Sequence, residues 1–461
     1  YDILTPLHQV FRLLPHPSYL LFLYLLGAYV FLLSIGQQKK YAVLGALAYG
    51  LSTYLLIIIQ VGHNTKAQAL GYLPFVFASI HYIFSKKSLL GIVFGTITMG
   101  LQIRANHYQM TYYMLLLMAL YLGFQAWQYY QSKEFKAFYY ASLRLIIAGG
   151  MAIALNATSL LATAEYSQFS TRGKSELTLD ANGLPLEPRS GLSYDYITQY
   201  SYGIFESFNL LVPRIQGGGS SEDLGTSSAI YQDLIQRGVS RQQAAQFAAN
   251  VPTYWGDQPI LEAPAYVGVV VIFLALLALF FPMNWLKKWL CAGIVLSLLL
   301  SWGKNLDFLT RLFVEYFPLY SKFRAVSSIQ IILEFCFPVL AVLGLKGVFD
   351  HPRETAKKAL KNTLYVFIGV LLSLYLAQWV MDFKGPNDDY YKNVFGAPIM
   401  QMIFEARKEI YAADLIRAVV FVILTAGILY GFLFDKLRKQ MAFIGIGLLL
   451  FIDLLQISNR Y

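Results

Sequence analysis

Residues 326–345 read VSSIQIILEFCFPVLAVLGL, an almost unbroken apolar run with Lys322 and Arg324 just before it and Lys346 just after. About 20 helical residues cross the hydrocarbon core of a bilayer, and this run has that length. A backbone in lipid must satisfy its own hydrogen bonds, so a helix is the state open to it. Working outward, similar runs recur at 18–36, 41–60, 67–84, 89–103, 108–127, 142–163, 264–281, 289–302, 363–381, 414–433 and 441–457. Those at 89–103 and 289–302 are short, and are expected to tilt into neighbours or to extend past these limits. The pattern predicts an all-α polytopic membrane protein with about 12 transmembrane helices.

Composition points the same way. Hydrophobic residues make up 57% of the 461-residue chain and charged residues 13%, where a soluble domain carries about 25% charge. A soluble fold of this size needs more polar surface than that, so lipid must cover much of the molecule. The 34 Tyr and 33 Phe suit the membrane–water boundary, where a ring sits in hydrocarbon and a polar tip in water. A net charge of +10 would suggest nucleic acid in a soluble domain. Here Lys and Arg sit mostly in short loops between apolar runs, so they set orientation, and no nucleic-acid partner is expected. Cys291 and Cys336 fall inside apolar runs and read as small packed hydrophobes.

Basic residues fix the expected topology. With Lys39 and Lys40 in the cytoplasm, alternation puts Lys86 with Lys87, Lys133 with Lys136, and Lys287 with Lys288 on that side. Lys346, Arg353, Lys357, Lys358 and Lys361 follow, then Lys436, Arg438 and Lys439. The chain then divides into N-terminal transmembrane helices at 1–163, one large extracytoplasmic loop at 164–263, and C-terminal transmembrane helices at 264–461. Residues 1–17 start outside, which calls for an earlier helix and outer loop ahead of Tyr1. The long loop holds Asn182-Gly183, Pro185, Pro188, the glycine-serine run 217–221 and a polar helical stretch at 239–250. It is poor in periodic apolar residues, so it is expected to be a partly ordered cap on the membrane domain.

No phosphate loop, H-E-x-x-H, C-x-x-C or G-x-S-x-G motif occurs, which argues against ATP hydrolysis and zinc chemistry. The remaining polar clusters gather at the predicted outer helix ends. His63, Asn64 and Lys66 share one tight loop, and Arg104, Asn106, His107 and Gln109 another. Arg and Lys offer fixed charge to phosphate oxygens while His and Asn add neutral hydrogen bonds, although such residues also cap helices or meet lipid headgroups. Glu165 follows the sixth run, with Tyr166 and Arg172 nearby. It can serve as a general base, hold a metal ion, or simply pair with Arg172. Tyr254-Trp255-Gly256-Asp257-Gln258 is suited to sugar, with rings stacking on a pyranose face and polar groups on its hydroxyls; Trp255 equally suits an interfacial anchor. Lys304 and then Lys322-Phe323-Arg324 precede the run at 326–345. Two cations at a helix entry, where the helix adds partial positive charge, make the best anion site in the chain.

Six segments together resemble the YfhO-type bacterial membrane protein family in its Bacteroidetes-like form. They are Gly62-His63 with Lys66; Asn106-His107; Ala164-Glu165-Tyr166 with Ser170-Thr171-Arg172-Gly173; Tyr254 through Pro259; Ser301-Trp302-Gly303-Lys304-Asn305; and Lys322-Phe323-Arg324-Ala325-Val326-Ser327. The resemblance covers most of the chain. It implies a GT-C-like membrane glycosyltransferase in the bacterial inner (cytoplasmic) membrane. Such an enzyme moves a sugar from a polyprenyl-phosphate carrier to an envelope polymer or lipid at the outer face. It needs no certain cofactor, and a divalent cation is compatible with it.

In that reading His63, Lys66, Arg104, His107, Arg172, Lys322 and Arg324 bind the donor phosphate. Asn106, Tyr166, Trp255 and Gln258 contact sugar or acceptor, and Glu165 or Asp257 supplies the catalytic carboxylate. The family's usual acidic residue lies in the first outer loop, ahead of Tyr1, of which Asp2 is at most a remnant. His63, Lys66, Asn106, His107, Glu165, Lys322 and Arg324 are expected to line one cavity under the cap. A transporter or flippase of a lipid-linked sugar is the rival reading, and requires ionisable residues at mid-membrane and broken helices. A non-catalytic envelope-assembly scaffold would have no convergent cleft.

Overall fold

The structure, a computed structural model, describes residues 4–86, 89–173, 183 and 191–461. Asp2, Lys87, Asn182, Pro185 and Pro188 lie outside the described residues. Each of the apolar runs overlaps one helix or two consecutive ones, and no β-strand occurs among the described residues. Seven described helices are long and apolar enough to cross a membrane: Asn64–Ser85, Tyr108–Gln131, Phe135–Leu155, Val326–Asp350, Arg353–Ala377, Ala397–Leu433 and Lys439–Ser458. The number rises to 9 if two bent pairs each make one span: Lys39–Gly50 with Thr53–Gln60, and Trp285–Ser301 with Gly303–Tyr316. Ser18–Ser34, Leu90–Arg104 and Val269–Leu279 are apolar but shorter. The chain is a multi-pass α-helical membrane protein. The sequence count of about 12 takes each bent pair as one span and includes the three shorter apolar helices, of 11 to 17 residues.

The described residues form two compact units. The first comprises Tyr1–Leu23, Asn64–Tyr202 and Val295–Leu333; the second Tyr24–His63, Gly203–Ile294 and Glu334–Tyr461. The long loop at 164–263 is thus shared between them at Tyr202–Gly203.

In the first unit, Leu90–Arg104 packs against both Asn64–Lys86 and Phe135–Leu155. Its sequence LGIVFGTITMGLQIR places small residues on the contact face. A Cβ on Gly95 would stand 3.0 Å from that of Ala148 and 3.2 Å from Ile83, so a larger residue there would press the three helices apart by a few tenths of an ångström. The hydroxyl of Thr98 donates to Ser79 at 2.9 Å and the Asn156 amide to the Gly100 carbonyl at 3.1 Å, polar glue suited to lipid. Asn156 also interrupts the sixth apolar run, splitting Phe135–Leu155 from Ala157–Gln168.

In the second unit, the part of the loop after Gly203 borrows its core from a helix. Ile230, Leu234, Ala244 and Val251 pack with Met400, Met402 and Ile403 at the start of Ala397–Leu433. Arg407 on that helix is fully buried and donates to Asp388 twice at 2.8 Å, and to the carbonyls of Pro252, Thr253, Tyr254 and Phe383. A charge this deep is tolerated because every donor is used.

Candidate functional site: a cation-lined cavity

The first unit contains a cavity of about 950 Å³, of the size that takes a ligand of several hundred daltons. Three stretches build it. Asn106 and His107 come from the turn after Leu90–Arg104, and Tyr108 and Gln109 from the start of Tyr108–Gln131. Leu160, Thr163, Ala164, Tyr166 and Ser167 come from Ala157–Gln168, and Arg172 follows them. Leu319, Lys322, Phe323 and Arg324 come from the segment before Val326–Asp350. Leu160, Thr163, Ala164 and Ser167 recur at helical spacing, which turns one face of their helix to the cavity.

The 319–327 segment is held open by backbone pairing. Leu192 N donates to Ser321 O at 3.0 Å, Ala325 N to Ile197 O at 3.1 Å and Ser327 N to Tyr200 O at 3.1 Å. Leu319 and Ala325 adopt φ of 65° and 57°, and Asn106 across the cavity 57°. Asn visits this left-handed region readily, whereas Leu and Ala pay for it with steric strain. Strain of this kind persists where the surroundings dictate the chain path, and it gathers at binding sites.

Among the described residues that line the cavity the charged ones are Arg172, Lys322 and Arg324, with no Asp or Glu. Arg172 Nε donates to the Lys322 carbonyl at 2.9 Å while Lys322 Nζ donates to the Arg172 carbonyl at 2.6 Å. Arg324 donates to the Tyr196 hydroxyl at 2.6 Å and lies over its ring, while its carbonyl accepts from Gln109 Nε2 at 2.6 Å. The partners that aim Arg172 and Arg324, a carbonyl and a tyrosine hydroxyl, are neutral. Phe323 packs on Tyr112 with ring centroids 5.3 Å apart, which separates Lys322 from Arg324 along the wall.

Of the residues singled out in the sequence, Asn106, His107, Tyr166, Arg172, Lys322 and Arg324 meet here. Glu165 lies between two lining residues, and is exposed. Lys66 and Arg104 belong to the same unit but do not line the cavity: Lys66 bonds Ser328 at 3.2 Å and Arg104 bonds Thr5 at 2.9 Å. His63, Trp255, Asp257 and Gln258 belong to the second unit. There Trp255 packs edge-on against Phe383 and Gln258 donates to buried Glu206 at 2.9 Å. Tyr108, Gln109 and Tyr196 went unmarked as site residues. Gln109 sits within the polar turn at 104–109 that the sequence displays, whereas Tyr196 aims Arg324 from 128 positions away and leaves no local trace.

Glu206 is the other notable titratable group outside the spans. Burial pushes its carboxyl up to about 7, although Gly203 N, Gln258 and the Tyr254 hydroxyl all donate to it. No group of three or more His, Cys, Asp or Glu among the described residues is placed to hold a metal ion. The cavity's cationic lining is likewise unsuited to a divalent cation. No protein-family model matches the chain, no curated protein matches it, and no solved structure matches it.

Proposed function

We propose that the cavity binds the phosphate of a lipid-linked sugar, and that the chain is a YfhO-type, GT-C-like glycosyltransferase acting on a polyprenyl-phosphate donor. The observation that carries the reading is a set of three cations, Arg172, Lys322 and Arg324, gathered on walls that include Leu160, Ala164, Leu319 and Phe323. A phosphate leaving group gains charge as the glycosidic bond breaks, and fixed cations in a desolvated wall stabilise that charge with little reorganisation. Asn106 and Tyr166 suit sugar hydroxyls. Glu165, next to the wall, is the candidate base for the acceptor hydroxyl. The same proposal includes 12 crossings, placement in a bacterial inner membrane, and an envelope polymer or lipid as acceptor.

The test is sugar transfer from a lipid-linked donor in nanodiscs, measured beside folded yield. Loss of one charge-assisted phosphate contact is worth about 1.5–3 kcal/mol. Arg324→Ala is therefore expected to lower donor use roughly ten- to a hundredfold, with yield near normal. Unchanged transfer by a well-folded variant rules the phosphate role out.

A second reading, passage of the lipid-linked sugar across the membrane, draws on one feature of the second unit. Ser52, at the 52° break between Lys39–Gly50 and Thr53–Gln60, donates to buried Glu334 at 2.6 Å, and Glu334 Oε1 has no hydrogen-bond partner. A broken span beside a buried carboxylate is what ion-coupled passage requires. Glu334→Gln separates the readings: loss of passage of a fluorescent lipid-linked sugar across vesicles, with transfer absent, favours the second.

A further inference from the structure

Gly303 marks a corner that the cavity does not use. Its φ of 50° is left-handed, and a Cβ there would collide with Ser201 and Val326. Glycine therefore permits the 107° turn between the apolar helix Trp285–Ser301 and Gly303–Tyr316. A helix leaving a membrane-crossing direction at about a right angle runs along the membrane plane.

The helix Asp307–Tyr316, DFLTRLFVEY, sorts into three faces at about 100° per residue. Thr310 and Phe313 form the packed face: the Thr310 hydroxyl donates to the Gly303 carbonyl at 2.8 Å, and Phe313 stacks on Phe317 with centroids 3.9 Å apart. Asp307, Arg311 and Glu315 form a charged face, with Arg311 and Asp307 paired at 2.7 Å. Phe308, Leu312 and Tyr316, four residues apart, form the third, and they are 74%, 47% and 73% exposed. Three large apolar side chains in register beside a charged stripe match a helix that lies in an interface.

We propose that Asp307–Tyr316 docks in the membrane–water interface, with Phe308, Leu312 and Tyr316 among the acyl chains and the charged face at the headgroups. The occupant is lipid. The helix turns at a right angle from an apolar helix whose Val295 is itself 54% exposed, so the lipid that covers that helix continues onto this face. The exposed apolar surface runs on through Phe317 to Leu319, which lines the cavity. The cavity mouth, with Lys322 and Arg324, therefore sits at headgroup depth, and its ligand enters sideways from the membrane. This goes beyond the transferase reading, and the docking stands whatever the cavity binds.

The test reads depth directly. Spin labels are placed singly at positions 308, 312, 316, 311 and 315 of a chain carrying Cys291→Ala and Cys336→Ala, reconstituted in phosphatidylglycerol–phosphatidylethanolamine vesicles. Collision with oxygen, which favours lipid, is compared with collision with a water-soluble nickel chelate. The oxygen-to-nickel ratio is expected to be several-fold higher at 308, 312 and 316 than at 311 and 315. Equal ratios overturn the proposal. Low access to both reagents at the three apolar positions also overturns it, because a protein surface then covers the face. The unaltered chain provides a second measurement, with a diazirine-bearing phospholipid in the same vesicles. Crosslinks on Phe308, Leu312 or Tyr316 support docking. Their absence, while Arg353–Ala377 is labelled, counts against it.

Discussion

The buried arginines of the second unit and the cavity arginines of the first serve opposite ends. In the second, Arg407 is fully buried and each of its donors meets a carboxylate or carbonyl. Arg214 is likewise held by Asp414 and Glu222, and Arg460 shares Asp414 at 2.9 Å. In the first, Arg172 and Arg324 are steered by a carbonyl and a tyrosine, with no acid among the described residues that line the cavity. Saturation marks a charge used to fasten the chain, and aim without neutralisation marks a charge kept for something that arrives.

Arg407→Ala should break the comparison most forcefully. It takes the guanidinium from Asp388, which among the described residues keeps only the Gly385 N–H, and from four carbonyls, and removing one partner of a buried pair typically destabilises by about 3–5 kcal/mol. Folded yield and thermal stability in detergent should fall sharply. A variant as stable as the parent would show that saturation does not identify fastening charges.

Next in size is a pH effect at Glu206, a carboxylate held only by neutral donors. Unfolded, it loses its proton near the ordinary glutamate range, whereas folded it keeps the proton up to about 7. The folded state therefore binds more protons between about pH 4.5 and 7. Its contribution is present at the acid end of that window and declines as pH rises through it, by up to about 3 kcal/mol. Melting temperatures of the parent should fall across this window relative to Glu206→Gln. The variant's own level should be lower, because one amide end cannot accept. Parallel profiles would refute the assignment.

Arg324→Lys sharpens the comparison further. The charge survives but the planar fork that meets Tyr196 does not. Binding of a lipid phosphate should recover only part of what Arg324→Ala loses, a deficit of about 1 kcal/mol, with melting unchanged. Smallest is Gln109→Ala, which removes one hydrogen bond to the Arg324 carbonyl and should weaken the same binding by about 0.5–1.5 kcal/mol. A full loss of binding at Gln109 would place the ligand contact there instead.

What the sequence made legible was whatever is local. Apolar runs located the helices because lipid imposes length and closed hydrogen bonding residue by residue. The turn at 104–109 and Lys322-Phe323-Arg324 stood out because polar residues at helix ends are costly without a use. Tertiary choices were hidden. The helix Ala397–Leu433 begins well before the run at 414–433, because Arg407 and its neighbours look like loop until Asp388 and the carbonyls satisfy the guanidinium. Lys66 and Arg104 carry the same charge as Arg324, but Ser328 and Thr5 take them elsewhere. Glu206 gave no sign at all, since its three donors come from Gly203, Tyr254 and Gln258.

The segments that build the cavity also set a timetable. Arg172 and Arg324 are 152 positions apart, and a ribosome adds roughly 5–20 residues per second. The first wall thus waits about 8–30 seconds for the second. Throughout that interval the Arg172 guanidinium lacks the Lys322 carbonyl that later receives it. A chain released before residue 324 holds many of its helices and no anion site. Ribosome-stalled intermediates of increasing length should therefore insert into the membrane early and acquire lipid-phosphate binding in a single late step.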